Sequence, residues 1–295
     1  MTMPQSLITY KTRHEAYLQH IIYSTEIPAH RIKNAMLYML FPGGKRLRPI
    51  LVYLCGVLLN LSLDVLDNIA AAIELIHCYS LIHDDLPSMD NDDYRRGKPS
   101  CHREFDEATA ILVGDGMQAF AIELLLTRLQ PLLPADKVIT ITNLLCNACG
   151  PNGMVSGQSL DLSELSGTQL NEALLRHIHN LKTGKLIQAC IDMTLAATTP
   201  TAMEKNALST FAMNLGLVFQ MQDDYLDAYD TPSTLGKSRS SDAANKKITF
   251  AQLYTQEKLK TLITHYFTQT EQALSPFAVK CKPLLDLVHH LQDRI

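Results

Sequence analysis

Apolar residues recur along the chain at three- and four-residue steps, and almost no segment alternates apolar and polar positions over the length of a strand. In Asn68 to His83, the residues Ile69, Ile73, Ile76 and Ser80 fall at these steps, and Ala70 to Ala72 favour helix, so the spacing predicts one long buried helix. Ala207 to Tyr229 reads the same way. Between them the pattern predicts helices at about 108–128, 136–149, 154–163, 169–180 and 184–197, with a last pair beyond Thr249. The expected fold class is therefore all-α. No solenoid repeat, low-complexity tract or long Ser/Gly/Pro linker divides the chain, so residues 1–295 read as a single domain.

Composition narrows the function classes. With 295 residues, 46% of them hydrophobic, the chain can bury a large core, which excludes disulfide scaffolds and disordered tails. The 26 Lys+Arg and 30 Asp+Glu are interspersed, so no whole-chain field holds nucleic acid or anionic lipid, and any anion site must be local. Seven cysteines, Cys55, Cys78, Cys101, Cys146, Cys149, Cys190 and Cys281, are scattered without a framework, which fits a reducing, cytoplasmic setting. Met1 to Arg13 lack the basic start and apolar stretch of a signal peptide. The longest uncharged span, Val138 to Leu160, is broken by Gly150-Pro151-Asn152-Gly153, so no membrane insertion is expected.

Polar residues concentrate in two places. His83-Asp84-Asp85-Leu86-Pro87-Ser88-Met89-Asp90-Asn91-Asp92-Asp93 follows directly on an apolar helix, and its adjacent carboxylates repel, so they call for cations. Pro87 disfavours helix at Leu86, so the chain should loop and bring Asp90 back towards Asp84. In the second cluster, Asp223-Asp224-Tyr225-Leu226-Asp227, a helix sets Asp223 and Asp227 on one face, with Gln220 one turn earlier. An all-oxygen donor set suits a hard cation such as Mg²⁺, which shares phosphate oxygens, and two such clusters imply a polyphosphate between them. One acidic run alone would read as a solvated helix end. Matching positive charge lies in Gly43-Gly44-Lys45-Arg46-Leu47-Arg48-Pro49, Arg95-Arg96-Gly97-Lys98, Lys182-Thr183-Gly184-Lys185 and Gly236-Lys237, where glycine should let backbone amides and cations approach an anion together.

In this order the segments GGKRLRP at Gly43–Pro49, HCYSLIHDDLPSMDNDDYRRGKPSCH at His77–His102, AILVGDGMQ at Ala110–Gln118, GMVSGQSLDL at Gly153–Leu162, KTGKL at Lys182–Leu186, FQMQDDYLD at Phe219–Asp227 and TLGK at Thr234–Lys237 span most of residues 40 to 250. The set resembles the trans-isoprenyl diphosphate synthases, most closely the bacterial farnesyl diphosphate synthases. The resemblance implies an isoprenoid synthase bundle of roughly ten or more helices around a central cavity, a homodimer, isoprenyl diphosphate substrates and three Mg²⁺ ions, with Mn²⁺ as a substitute. It assigns the metals to Asp84, Asp85, Asp90, Asp223, Asp224 and Asp227. Gly44, Lys45, Arg48, His77 and Arg96 match the positions for isopentenyl diphosphate, and Arg95, Lys182, Thr183, Gln220, Lys237 and Lys247 those for the allylic diphosphate. Catalysis would rest on Asp84, Asp85, Asp90, Lys182, Thr183, Gln220 and Asp223. Tyr79, five positions before the first aspartate, and Ser80 would set product length, and a bulky residue at 79 points to a fifteen-carbon chain. The sequence departs from the family at Lys246-Lys247-Ile248-Thr249-Phe250, where a Gly-Lys-Ser/Thr-Tyr segment is usual, and past residue 251, where nothing matches closely.

The rivals explain less. Cys146-Asn147-Ala148-Cys149 has no second pair and no adjacent histidine for zinc, and Cys101-His102 reads as a helix start. A phosphohydrolase reading of His83-Asp84 leaves the second aspartate cluster and GGKRLRP unexplained, and a terpene cyclase needs no second diphosphate site. A catalytically silent prenyl synthase subunit should have lost aspartates that this chain keeps. Geranylgeranyl diphosphate synthase is the competing enzyme reading.

Overall fold

The computed structural model describes residues 3–163, 171–229 and 249–295. In chain order the helices are α1 (Gln5–Ser24), α2 (His30–Leu40), α3 (Leu47–Leu58), α4 (Leu63–Asp84), α5 (Cys101–Glu104), α6 (Glu107–Arg128), α7 (Ala135–Cys149), α8 (Met154–Ser163), α9 (Glu172–His179), α10 (Lys185–Ala197), α11 (Ala202–Tyr229), α12 (Phe250–Leu253), α13 (Gln256–Ala273) and α14 (Lys282–Gln292). A π-helical turn, Asn180–Gly184, joins α9 to α10, and a two-residue hairpin, Tyr94–Arg95 with Lys98–Pro99, is the one sheet among the described residues. The all-α expectation holds.

Helix α4 is the central element. It is buried on nearly every side from Val65 to Ile82 and packs against α3 and α6. Three polar residues buried on it each have a partner. Asp67 takes the Arg13 guanidinium at 2.7 and 2.8 Å and the Tyr53 hydroxyl at 2.6 Å. Asn68 accepts from the Tyr17 hydroxyl at 2.6 Å, and Glu74 pairs with Arg46. These contacts tie α1 and α3 to the core at fixed register, since a lone buried charge would cost several kcal/mol. Both α4 and α6 are long and apolar enough to cross a membrane, but 83% of the α4 window is buried inside the protein, as in a core helix.

The helix pattern fared unevenly. Helix α4 begins at Leu63 rather than Asn68, because the Ser62 hydroxyl accepts from the Val65 amide at 3.5 Å and caps it. Helix α11 begins at Ala202 rather than Ala207: Thr201 and Glu204 form a reciprocal capping box, with contacts of 2.8 and 3.2 Å. The predicted break between residues 180 and 184 is the π turn, so the backbone stays helical through Lys182 and Thr183. Helices α1, α2 and α3 had no counterpart in the periodicity. In α1 the buried positions are Leu7, His14, Leu18, Ile21 and Ile22, a narrow face interrupted by a histidine. In α3 the apolar run shows no period, because Pro49 to Gly56 are all buried.

Helix α8 lies directly on the π turn. A Cβ at Gly157 would sit 2.2 Å from the Lys182 backbone nitrogen, so only glycine permits this approach. Gly157→Ala should therefore cost about 1–3 kcal/mol of stability by forcing the two segments apart. Gly116→Ala, in α6 where an added Cβ meets nothing within 4 Å, should stabilise by up to about 1 kcal/mol. Calorimetric Tm values moving in opposite directions would bear out this packing.

Candidate active site

One cavity of about 1080 Å³ is lined by the start of α3, the C-terminal half of α4, the hairpin, α8, the π turn, the end of α11, α14 and the last residues of the chain. Nearly every described residue singled out from the sequence faces it. Asp84 closes α4, and after the Leu86-Pro87 turn the Asp90 amide donates to the Asp84 carbonyl at 2.8 Å, the return that Pro87 suggested. Asp84 and Asp90 both line the cavity.

Asp85 departs from the expected ligand set. Its carboxylate is fully buried, it is not among the cavity-lining residues, and it grips the Arg95 guanidinium through Nε at 3.0 and 3.1 Å and through Nη2. The cause is helical geometry: adjacent residues at a helix end point about 100° apart, so Asp85 faces the protein where Asp84 faces the cavity. Arg95, expected at the allylic diphosphate, borders the cavity while bound to Asp85 and, at 3.3 Å, to Asp92.

The second cluster lies on α11. Asp223, Asp224 and Asp227 line the same cavity, and Asp224 accepts from Gln220 Nε2 at 3.0 Å and from the Phe250 amide at 2.8 Å. His179, stacked on Phe250, brings Nε2 to 3.7 Å from Asp224. Burial, opposed only in part by these two hydrogen bonds and reinforced by Asp223 and Asp227, pushes the Asp224 carboxyl up to about 7. Among the described residues, no three carboxylate, imidazole or thiol groups form a ready-made metal cage. An all-oxygen wall of carboxylates from two helices suits a cation that keeps waters and shares phosphate oxygens.

Facing the same space is a cationic group. Lys45, Arg48, His77, Arg96 and Gly44 all line the cavity. Arg48 Nη1 lies 3.4 Å from His77 Nε2, and burial together with Arg48 holds the imidazole well below its usual range, so it is neutral and accepts. Arg48 Nε is buried without a partner. Burial lowers the Lys45 ammonium too, with Arg294 adding to the effect. Cations crowded in this way are satisfied by an anion with several acceptor oxygens.

Lys182, Thr183 and Gln220 also border the cavity, and Lys182 Nζ is held by Asp161 at 2.6 Å. Tyr79 and Ser80 line the cavity on α4, with the Tyr79 ring edge-on to His83 at 5.8 Å and the Ser80 hydroxyl donating to the His77 carbonyl at 3.0 Å. Lys237 and Lys247 lie outside the described residues. Sequence reasoning missed three participants. Asp161 stood inside the quoted GMVSGQSLDL segment, but nothing local announced its lysine. His179 looked like any helical histidine. Arg294, next to the last residue, donates to Asp223 at 3.0 Å and to Gln222 at 2.9 Å, so the tail does reach the site.

The polyprenyl synthetase family model matches residues 29–275. The chain belongs to this family. It is 39% identical over 274 residues to a farnesyl diphosphate synthase of Geobacillus stearothermophilus, covering 93% of this chain and 92% of that one. A geranyltransferase from Legionella pneumophila superposes with a TM-score of 0.91 at 54% identity, over 98% of this chain and 96% of the other. A Helicobacter pylori geranyltransferase, solved with magnesium and isoprenyl diphosphate, gives 0.84 at 30% identity, over 100% and 98% of the chains. As a polyprenyl synthetase, this protein is a short-chain prenyltransferase.

Asp224 makes a prediction for the metal-free enzyme. Its folded pKa lies above that of an unfolded carboxyl, so the contribution to stability is fully present at low pH and is lost as pH rises to about 7. In chelator, Asp224→Asn should gain in Tm over wild type between about pH 4, where an unfolded carboxyl ionises, and about pH 7, and hold a constant advantage above. A pH-independent difference would show that Asp224 does not titrate there.

Proposed function

We propose that this polyprenyl synthetase is a farnesyl diphosphate synthase, condensing isopentenyl diphosphate first with dimethylallyl and then with geranyl diphosphate. The observation that carries the reading is the meeting, in one cavity, of two carboxylate clusters, a separate cationic group with an unpartnered guanidinium nitrogen, and Tyr79 on the wall between them. Two chemically distinct anion sites fit a two-substrate condensation better than a cyclisation.

Asp84, Asp90, Asp223, Asp224 and Asp227 would hold Mg²⁺, three ions in the full complex, with Mn²⁺ as a substitute. Bound metal would neutralise the allylic diphosphate as it leaves. Asp85 contributes indirectly, by aiming Arg95 at that diphosphate together with Lys182. Lys45, Arg48, His77, Arg96 and the backbone at Gly44 hold isopentenyl diphosphate, whose double bond attacks the allylic cation. Loss of a proton to the departing diphosphate then completes the longer chain. Thr183, Gln220 and the Lys182 carbonyl turn dipoles towards the cation without offering a strong nucleophile. The apolar lining keeps water from it. Tyr79, largely buried at 7% exposure, is the floor that limits growth to fifteen carbons.

The protein would act as a homodimer in the cytoplasm, on small-molecule isoprenyl diphosphates, without nucleic acid or membrane insertion. Exposed Ile111, Leu112 and Leu126 on α6, at 44%, 57% and 43%, support a second copy as the cover of that helix. A single domain over residues 1–295 is supported by a cavity wall that draws on both Met3 and Arg294.

With Mg²⁺, dimethylallyl diphosphate and labelled isopentenyl diphosphate, the wild type should give mainly a fifteen-carbon product. Asp84→Ala and Asp224→Ala should each lose about a thousandfold in kcat/KM. Tyr79→Ala should lengthen the product while keeping turnover. A twenty-carbon product from the wild type would overturn the Tyr79 assignment, and no condensation by folded, metal-loaded enzyme would overturn the reading as a whole.

A further inference from the structure

Arg46, in the middle of Gly43–Pro49, does not behave like the cations beside it. Its side chain is 0% exposed and its backbone is left-handed, with φ 54° and ψ 33°, so it turns away from the direction of Lys45. The guanidinium is shared among three helices: Nη1 pairs with Glu74 on α4, Nη2 donates to the Leu40 carbonyl that ends α2, and Nε lies 3.3 Å from Glu15 on α1. The Phe41 ring covers it at 5.7 Å. Although Arg46 borders the cavity, its donors are directed to protein acceptors.

Gly43 owes its place to this arrangement, whereas Gly44 lies against a different cation and borders the cavity. A Cβ at Gly43 would fall 2.0 Å from the Arg46 guanidinium carbon, inside the space that guanidinium occupies. A Cβ at Gly44 would crowd the Arg96 guanidinium, at 3.1 Å from Nε. The expectation that these glycines let backbone amides approach the ligand is thereby corrected for Gly43: it admits a side chain.

We propose that Arg46 is a positioning residue for the cationic half of the site. Anchored on Glu74, Glu15 and the Leu40 carbonyl, it fixes the segment between α2 and α3, so that Lys45 on one side and Arg48 on the other face one diphosphate. It does not touch the substrate. This inference rests on the reading that Lys45 and Arg48 hold isopentenyl diphosphate. A segment anchored at its midpoint keeps both neighbours in register, and a shift of about 1 Å in such groups is enough to cost up to a hundredfold in rate.

The test varies the two substrates separately, with thermal unfolding alongside. Arg46→Lys keeps the charge but cannot reach three acceptors in a planar fork. Arg46→Met/Glu74→Leu removes both buried charges together and leaves only Glu15, a third exposed to water, without its cation, so it should fold even if the lysine variant does not. Lys45→Ala reports on the underlying reading. All three should raise KM for isopentenyl diphosphate about tenfold, with KM for the allylic diphosphate changed by less than about twofold. Folded Arg46 variants with unaltered KM for isopentenyl diphosphate, beside a Lys45→Ala enzyme in which it rises, would overturn the positioning role alone. Equal rises for both substrates would overturn it too, by marking a general loss of structure. Unaltered KM for isopentenyl diphosphate in Lys45→Ala would instead overturn the site reading, and the positioning role with it.

Discussion

Charges of one sign gathered beside an apolar cavity repel one another, and this architecture depends on counter-charges brought from elsewhere in the chain to hold them. Asp85 is neutralised by Arg95 from the hairpin, Lys182 by Asp161 from α8, Asp223 by Arg294 from the tail, and Arg46 by Glu74 from α4. Each pair joins two elements that are distant in sequence or differently oriented. In each, a buried or half-buried ion would be costly without its partner, so the pairs fix orientation as much as they add stability. Arg48, whose Nε is left without a partner, and Asp224, whose carboxyl is pushed up to about 7, both border the same cavity.

Helix α4 connects these parts. Its N-terminal half is locked to α1 and α3 through Asp67 and Asn68, its middle carries Glu74 under the Gly43–Pro49 segment, and its last turns present His77, Tyr79, Ser80 and Asp84 to the cavity. These four cavity-lining residues are therefore spaced along one rigid element. The helix rises about 1.5 Å per residue, so the spacing from Tyr79 to Asp84 along the cavity wall is fixed. The π turn plays the corresponding part opposite, because the wider turn at Asn180–Gly184 lets Lys182 and Thr183 both border the cavity while Gly157 packs against the backbone behind them.

The chain shows how two neighbouring residues of the same type divide their work. Asp84 and Asp85, or Lys45 and Arg46, read alike in a motif, yet Asp85 is buried away from the cavity that Asp84 lines, and Arg46, though it borders the cavity beside Lys45, directs its donors to protein acceptors. The surplus charge in each motif is structural. Asp85 holds the Arg95 guanidinium, and Arg46 ties Glu15, Glu74 and the Leu40 carbonyl together.

Read alone, the sequence determined the helical class, the two carboxylate clusters, the return of Asp90 to Asp84 and the cations Lys45, Arg48, Arg95, Arg96 and Lys182 that border the cavity. These follow from local periodicity, from Pro87 and from the order of short motifs, all of which act within a few residues. Helices α1 to α3 escaped it, because a narrow or all-apolar face leaves no clear period. Only the tertiary structure decided that Asp85 and Arg46 face inward, that Asp161 meets Lys182, that His179 approaches Asp224, and that Arg294 comes back to Asp223. Those outcomes depend on which way a side chain points and on contacts between residues up to 71 positions apart. Charge type is written in the local sequence, whereas the choice of partner is made by the packing of whole helices.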